Sequence, residues 1–174
     1  RLEEPMPATG WGACLGVVAF VALVGMGRTD DGWMPFLDGI NLVFHEAGHP
    51  VFGLLGWEPL TILGGTLMQG LVPILVGGHF LWRRQALGVA LAGAWFGQNF
   101  LNIARYMADA RAEALPLVGG GEHDWATLLG RWGLLDQDLR LASRVATLGW
   151  VIMVGACGWM AWRALRRPSS LEGP

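Results

Sequence analysis

The sequence predicts an all-α fold: a polytopic transmembrane helical bundle of about five spans with one short interfacial helix, forming a single integral membrane domain over residues 1–174. Three observations carry this. Apolar residues make up 53% of the chain and charged residues 15%, against roughly 25% charged in soluble domains, so polar side chains are too few to cover a water-facing surface. Windows such as 5–27 and 145–162 contain no charged residue, and each is close to the ~20 residues that cross about 30 Å of hydrocarbon. Trp11, Trp33, Trp57, Trp82, Trp159 and Trp162 fall near the window ends, where indole rings favour the headgroup layer.

The predicted spans are 8–27, 35–56, 60–82, 85–108 and 140–163. The first is read as a retained span rather than a signal peptide, because its charge-free run exceeds a signal core and shows no cleavage signature nearby. The segment 110–138 is read as an outer loop carrying an interfacial helix at Trp125–Leu135. Orientation follows the cations, all twelve of which are Arg. Arg83 and Arg84, and again Arg163, Arg166 and Arg167, belong in the cytoplasm. Alternation then puts the N-terminus with Glu3 and Glu4 outside, Arg28 inside and the C-terminus inside, in a bacterial inner membrane. Residues 168–174 read as a loose polar tail. A net charge of −2 leaves no basic footprint for nucleic acid. Cys14 and Cys157 lie far apart in apolar runs and read as small packing residues rather than a disulfide framework. Gly12/Gly16, Gly88/Ala92 and Gly93/Gly97 have the small-xxx-small spacing that lets helix backbones approach in lipid.

Chemistry concentrates in Asn41–Pro50, which contains His45-Glu46-Ala47-Gly48-His49. Residues four apart share one helix face, so two imidazoles at 45 and 49 can grip one Zn²⁺. Glu46 beside the first ligand is placed to act as general base toward water. A span over 35–56 would be about 33 Å long and would put the two histidines near the bilayer middle. An ionisable cluster there is expensive and points to function. Other readings of the pair are polar packing by interhelical hydrogen bonds, or ligation of a haem-like or other porphyrin-type pigment.

These residues resemble the site-2 protease family of intramembrane zinc metalloproteases, which carry HExGH in a membrane helix, then a short apolar run, a Gly, and a stretch ending in Gly-Gly. Here His45–His49 is followed by Gly56 and by Gly64-Gly65, so the resemblance covers about 41–65. It implies an intramembrane peptidase acting on membrane protein substrates, with His45 and His49 as zinc ligands, Glu46 catalytic, and a substrate groove lined by the segment after the motif helix. The family's third ligand is an Asp within Leu-Asp-Gly. The nearest match here, Pro116-Leu117-Val118-Gly119-Gly120, has Val118 at that place, and valine cannot ligate zinc.

The third ligand is therefore sought elsewhere. Gln98, Asn102, Arg105 and Asp109 form one helical stripe, and Glu122, His123 and Asp124 follow a run of three glycines. Asp109, His123 or Asp124 could complete three protein ligands and leave a fourth position for water. Competing roles are an Arg105–Asp109 ion pair one turn apart and an Asp124 that caps the following helix. Pro50 and Pro73 each remove a helical hydrogen bond, so the third span is either kinked or broken beside the metal helix; His79 reads as an interfacial residue. Two functions are expected from this: an intramembrane zinc peptidase, or a non-catalytic transmembrane subunit that packs against neighbouring subunits of a larger complex and retains the motif.

Overall fold

The computed structural model describes residues 6–118 and 121–166. Among them the chain is entirely helical, with no strand. In order come α1 (Trp11–Met26), α2 (Leu37–Gly53), α3 (Glu58–Trp82), α4 (Ala86–Ala108), α5 (Asp124–Arg131) and, after a 3₁₀ turn at Leu135–Gln137, α6 (Asp138–Leu165). Glu3, Glu4, Gly119, Gly120, Arg167 and the tail 168–174 lie outside the described residues.

Two described helices are long and apolar enough to cross a membrane, α3 and the stretch Leu135–Leu165. α1 is apolar but shorter, with 16 residues. α2 and α4 carry the polar residues discussed below. Large apolar side chains face outward, among them Leu15, Leu75 and Val151. α3 is one continuous helix through Pro73. The broken form is therefore not adopted.

α4 is the central post. Ala86, Ala90, Ala94, Gly97, Leu101 and Ala104 are all buried against α1, α3 and α6. Small side chains set how closely the helices approach. A Cβ on Gly97 would lie 2.7 Å from the Gly149 carbonyl, and one on Gly149 would lie 2.6 Å from that of Gly97. The pair is reciprocal, and any larger residue would wedge α4 from α6. Gly48 of α2 and Gly64 of α3 make a second such contact, at 2.2 and 2.8 Å.

Side-chain contacts show which helix ends lie together. Arg163 near the end of α6 donates to the Pro7 carbonyl at 2.7 Å and to the Thr9 hydroxyl at 3.0 Å. Both ends of the described chain thus share one end of the bundle, whereas five crossings would separate them. α2 does not run from end to end either. The 28–33 loop before it is tied to Arg105 near the end of α4, and α3, which follows it, begins where Glu58 meets Arg131 of α5. Both flanks of α2 therefore lie at the end opposite Arg163. The 35–56 segment is apolar enough to resemble a span, and its helix is continuous over Leu37–Gly53, but both its flanks lie at one end.

The predicted interfacial helix is α5, and its apolar face does not lie open to lipid. Trp125, Leu128 and Leu129 are buried against Ile103, Ala104, Met107 and Ala142, which holds α5 as a cap over the ends of α4 and α6.

Candidate metal centre

α2 presents His45 and His49 on one face, with ring centroids 4.9 Å apart and planes at 79°. α5 delivers the third group: Asp124 Oδ2 lies 2.8 Å from His45 Nε2 and 3.4 Å from His49 Nε2. One ligand atom from each of the three residues falls within 4.8 Å of the others. Zinc–ligand bonds of about 2.1 Å imply tetrahedral edges near 3.4 Å, so modest adjustment around an ion satisfies this triangle.

Hydrogen bonds orient both imidazoles. His49 Nδ1 is 3.0 Å from the Thr61 carbonyl, which can only accept, so Nδ1 donates there and Nε2 is the ring atom turned toward Asp124. His45 Nδ1 is 3.0 Å from Gln69 Oε1, the same arrangement. Two Nε2 atoms gathered with one carboxylate oxygen are the donor set zinc takes when it displaces the protons between them. His45 and Asp124 are buried and His49 is half-buried.

Gly65 shows why α3 must be bare here. A Cβ at this position would lie 2.6 Å from His45 Nε2 and 2.7 Å from Cδ2 and Cε1. The Gly64-Gly65 pair thus serves close approach: Gly64 admits the α2 backbone and Gly65 admits the His45 ring.

Two cavities flank the centre, and both are lined by His45, Glu46, Tyr106, Leu117 and Val118. One, of about 380 Å³, adds Trp33, Leu42 and Pro116 with Gln69, Asn102 and Arg105. The other, of about 310 Å³, adds His49, Thr61, Glu122, Asp124 and Thr127. Glu46 is half-buried and opens onto both. Val118 lines both.

The remaining candidates lie apart from the cluster. Asp109 accepts from the backbone N–H groups of Ala114 and Leu115, both at 3.0 Å, and so closes the turn after α4. His123 is the N-cap of α5, with Nδ1 accepting from Ala126 N–H at 3.2 Å. This corrects the expectation that Asp124 caps α5; the cap one residue earlier leaves Asp124 free to face α2. His123 Nε2 points at Asp109 Oδ2, 3.5 Å away. Burial pushes the His123 imidazole below its ordinary pKa, and Asp109 opposes that. The Arg105–Asp109 pair does not form. Arg105 reaches Asp31 instead, through its side chain and main-chain carbonyl, and stacks over Trp33 at 5.3 Å. His45 lies between Tyr106 near the end of α4 and Gln69 midway along α3, while His49 sits nearer the start of α3 at Thr61.

Sequence reasoning missed Gln69, Tyr106 and Thr61. Tyr106 stacks on His123 with centroids 4.1 Å apart, and its hydroxyl accepts from Asp124 N–H at 3.1 Å. Gln69 had a signal, as a lone amide in an otherwise apolar run four residues after Gly65. Thr61 acts through its carbonyl and had none.

No family model, curated protein or solved structure matches this chain.

Proposed function

We propose that the protein is a membrane-embedded zinc peptidase of the site-2 type whose third ligand is Asp124, supplied by a capping helix in place of a Leu-Asp-Gly segment. The observation that carries this is the convergence of His45, His49 and Asp124 beside Glu46, the first and last drawn together over 79 residues of sequence. Zinc held there would supply Lewis acidity toward a peptide carbonyl and toward water. Glu46 faces both cavities, so it can take a proton from water on one side and return it to a leaving amine on the other. Leu117 and Val118 wall the cavities where an extended substrate would lie across the centre.

In this reading α1, α3, α4 and α6 cross the bilayer. α2 enters from the site end and returns, and both chain ends are cytoplasmic. The end holding Arg83, Arg84, Arg163 and Arg166 has no Asp or Glu among its described residues. At the site end Arg105, Arg111 and Arg131 are each tied to a carboxylate. Arg83, Arg84, Arg163 and Arg166 directly flank the apolar helices α3, α4 and α6, and on that cluster their end is placed in the cytoplasm, with substrates being membrane proteins cut near the opposite interface.

The test compares wild type with Glu46→Gln on membrane peptides in detergent or liposomes. The amide keeps the shape and cannot accept a proton, so cleavage should fall by about 10²- to 10⁴-fold while zinc stays bound. Equal cleavage by the two proteins, or none by either, would move the function to a non-catalytic membrane subunit.

A further inference from the structure

We propose that Tyr106 is a further catalytic residue: its hydroxyl donates the hydrogen bond that holds the scissile carbonyl oxygen as that oxygen takes negative charge. The inference deepens the peptidase reading and rests on it for the reaction, while the place of the hydroxyl is set by contacts within this chain alone.

Three contacts fix the phenol. Its ring stacks on His123 with centroids 4.1 Å apart and planes at 29°, and His123 is itself buried and held as the N-cap of α5. The His45 ring meets it edge-on, with centroids 5.7 Å apart and planes at 81°. The hydroxyl oxygen accepts from the Asp124 backbone N–H at 3.1 Å. A phenol O–H is conjugated with its ring and lies near the ring plane, so with that N–H on one side of the oxygen the proton turns to the other. Among the described residues the hydroxyl meets no protein acceptor for it. An N–H donated into the oxygen also polarises the O–H bond and makes it the stronger donor.

The cavities beside the centre offer few other side-chain donors to a substrate carbonyl. Tyr106 lines both, as His45 and Glu46 do. Most of the rest are directed elsewhere. Arg105 is held on Asp31, and Gln69 Nε2 donates to Asn102 Oδ1 at 3.4 Å. The Thr61 hydroxyl donates to the Trp57 carbonyl at 3.3 Å and the Thr127 hydroxyl to Glu122 at 3.4 Å. Trp33 and Asn102 line the 380 Å³ cavity alone. A peptide that passes from one cavity to the other beside Glu46 therefore presents its carbonyl to Tyr106. As water adds to the carbonyl carbon, its proton passes to Glu46 and the C=O electron pair moves onto oxygen. The C–N bond then breaks, and the leaving amine takes the proton from Glu46. Tyr106 keeps its own proton throughout. Its hydrogen bond strengthens as charge develops on the oxygen, so it lowers the barrier without tightening the ground state.

The test compares wild type with Tyr106→Phe as full-length, zinc-loaded protein in detergent. Two probes are used: a membrane peptide, and its phosphinic analogue, whose anionic tetrahedral phosphorus imitates the charged state. In Tyr106→Phe, kcat should fall by about 10²- to 10³-fold and the analogue should bind more weakly by a similar factor, while zinc affinity and KM stay near wild type. Two further variants separate the donor from the acceptor. Tyr106→4-aminophenylalanine restores a donor and should recover part of kcat. Tyr106→O-methyltyrosine keeps an acceptor for the Asp124 N–H but has no proton, and should stay impaired; a merely structural hydroxyl needs only that acceptor and would leave this variant active. Should Tyr106→Phe fail to fold, the O-methyl variant is read in its place. A folded Tyr106→Phe protein with unchanged kcat, or a loss confined to zinc affinity or KM, overturns the proposal and leaves the peptidase reading standing. A wild type that neither cleaves the peptide nor binds the analogue overturns both.

Discussion

Gly65→Ala is the sharpest single perturbation of the centre. The added Cβ would sit 2.6 Å from His45 Nε2, about 0.8 Å inside the 3.4 Å at which ordinary contact begins. The ring has little room to yield, since Asp124 stands 2.8 Å from Nε2 and Gln69 stands 3.0 Å from Nδ1. The strain must go into the ring, into α3, or into both. Overpacking of this kind costs about 1–3 kcal/mol, and a ligand displaced by nearly 1 Å loses roughly 10²-fold in function. Gly78→Ala is the matched control, because it lies on the same helix with nothing within 4 Å of its added Cβ. It should be neutral or slightly stabilising, by about 0.4–1 kcal/mol. Zinc titration with a fluorescent competitor, alongside thermal unfolding in the same detergent, reads both quantities. If Gly65→Ala binds zinc as wild type does, His45 is not a ligand in the pose described.

Other outcomes follow from the same contacts. A cysteine at Gly121 should be labelled from outside intact cells, and one at Gly10 only after permeabilisation; the reverse pattern would invert the orientation, and labelling of both from outside would break the shared-end arrangement. Gly97→Val should unfold or expand the bundle, because its side chain meets the Gly149 carbonyl and Met153 at 2.7 Å, whereas Gly155→Val on α6 meets nothing within 4 Å and should be tolerated; thermal unfolding separates them. The Thr29 hydroxyl and then Arg105 hold the Asp31 carboxyl down to a pKa of about 2. Its folded value lies below the unfolded value of about 3.9, so its contribution is present above pH ~4 and lost as pH falls toward 2. Hydrogen exchange across residues 28–34 should therefore rise only in that window in wild type, and already be fast at pH 6 in Asp31→Asn.

Much of the centre was legible in the sequence because helical spacing alone puts His45, Glu46 and His49 at one place. The route of α2 was not legible. A segment with few charges reads as a span, and nothing in 35–56 says that both its flanks return to one end; the Arg105–Asp31 and Glu58–Arg131 pairs, each joining residues more than 70 apart, decide it. The partner of the two histidines was narrowed to Asp109, His123 and Asp124, but local spacing could not separate them. The choice turns on which residue caps α5, and histidine competes weakly with aspartate by cap preference. Tertiary contact overrides that preference: His123 is sealed against Tyr106 and Asp109, so the cap falls on it and Asp124 turns toward α2. Arg105 paired with the wrong carboxylate for a similar reason, since the one a turn away is consumed by the backbone of Ala114 and Leu115.

X-ray absorption of the zinc-loaded, detergent-solubilised protein tests the central claim most directly. The account predicts one zinc per chain, with two imidazole nitrogens and one carboxylate oxygen at about 2.0–2.2 Å, and loss of the carboxylate shell with sharply weaker binding in Asp124→Ala. Zinc that fails to bind stoichiometrically, or a spectrum that Asp124→Ala leaves unchanged, would contradict it.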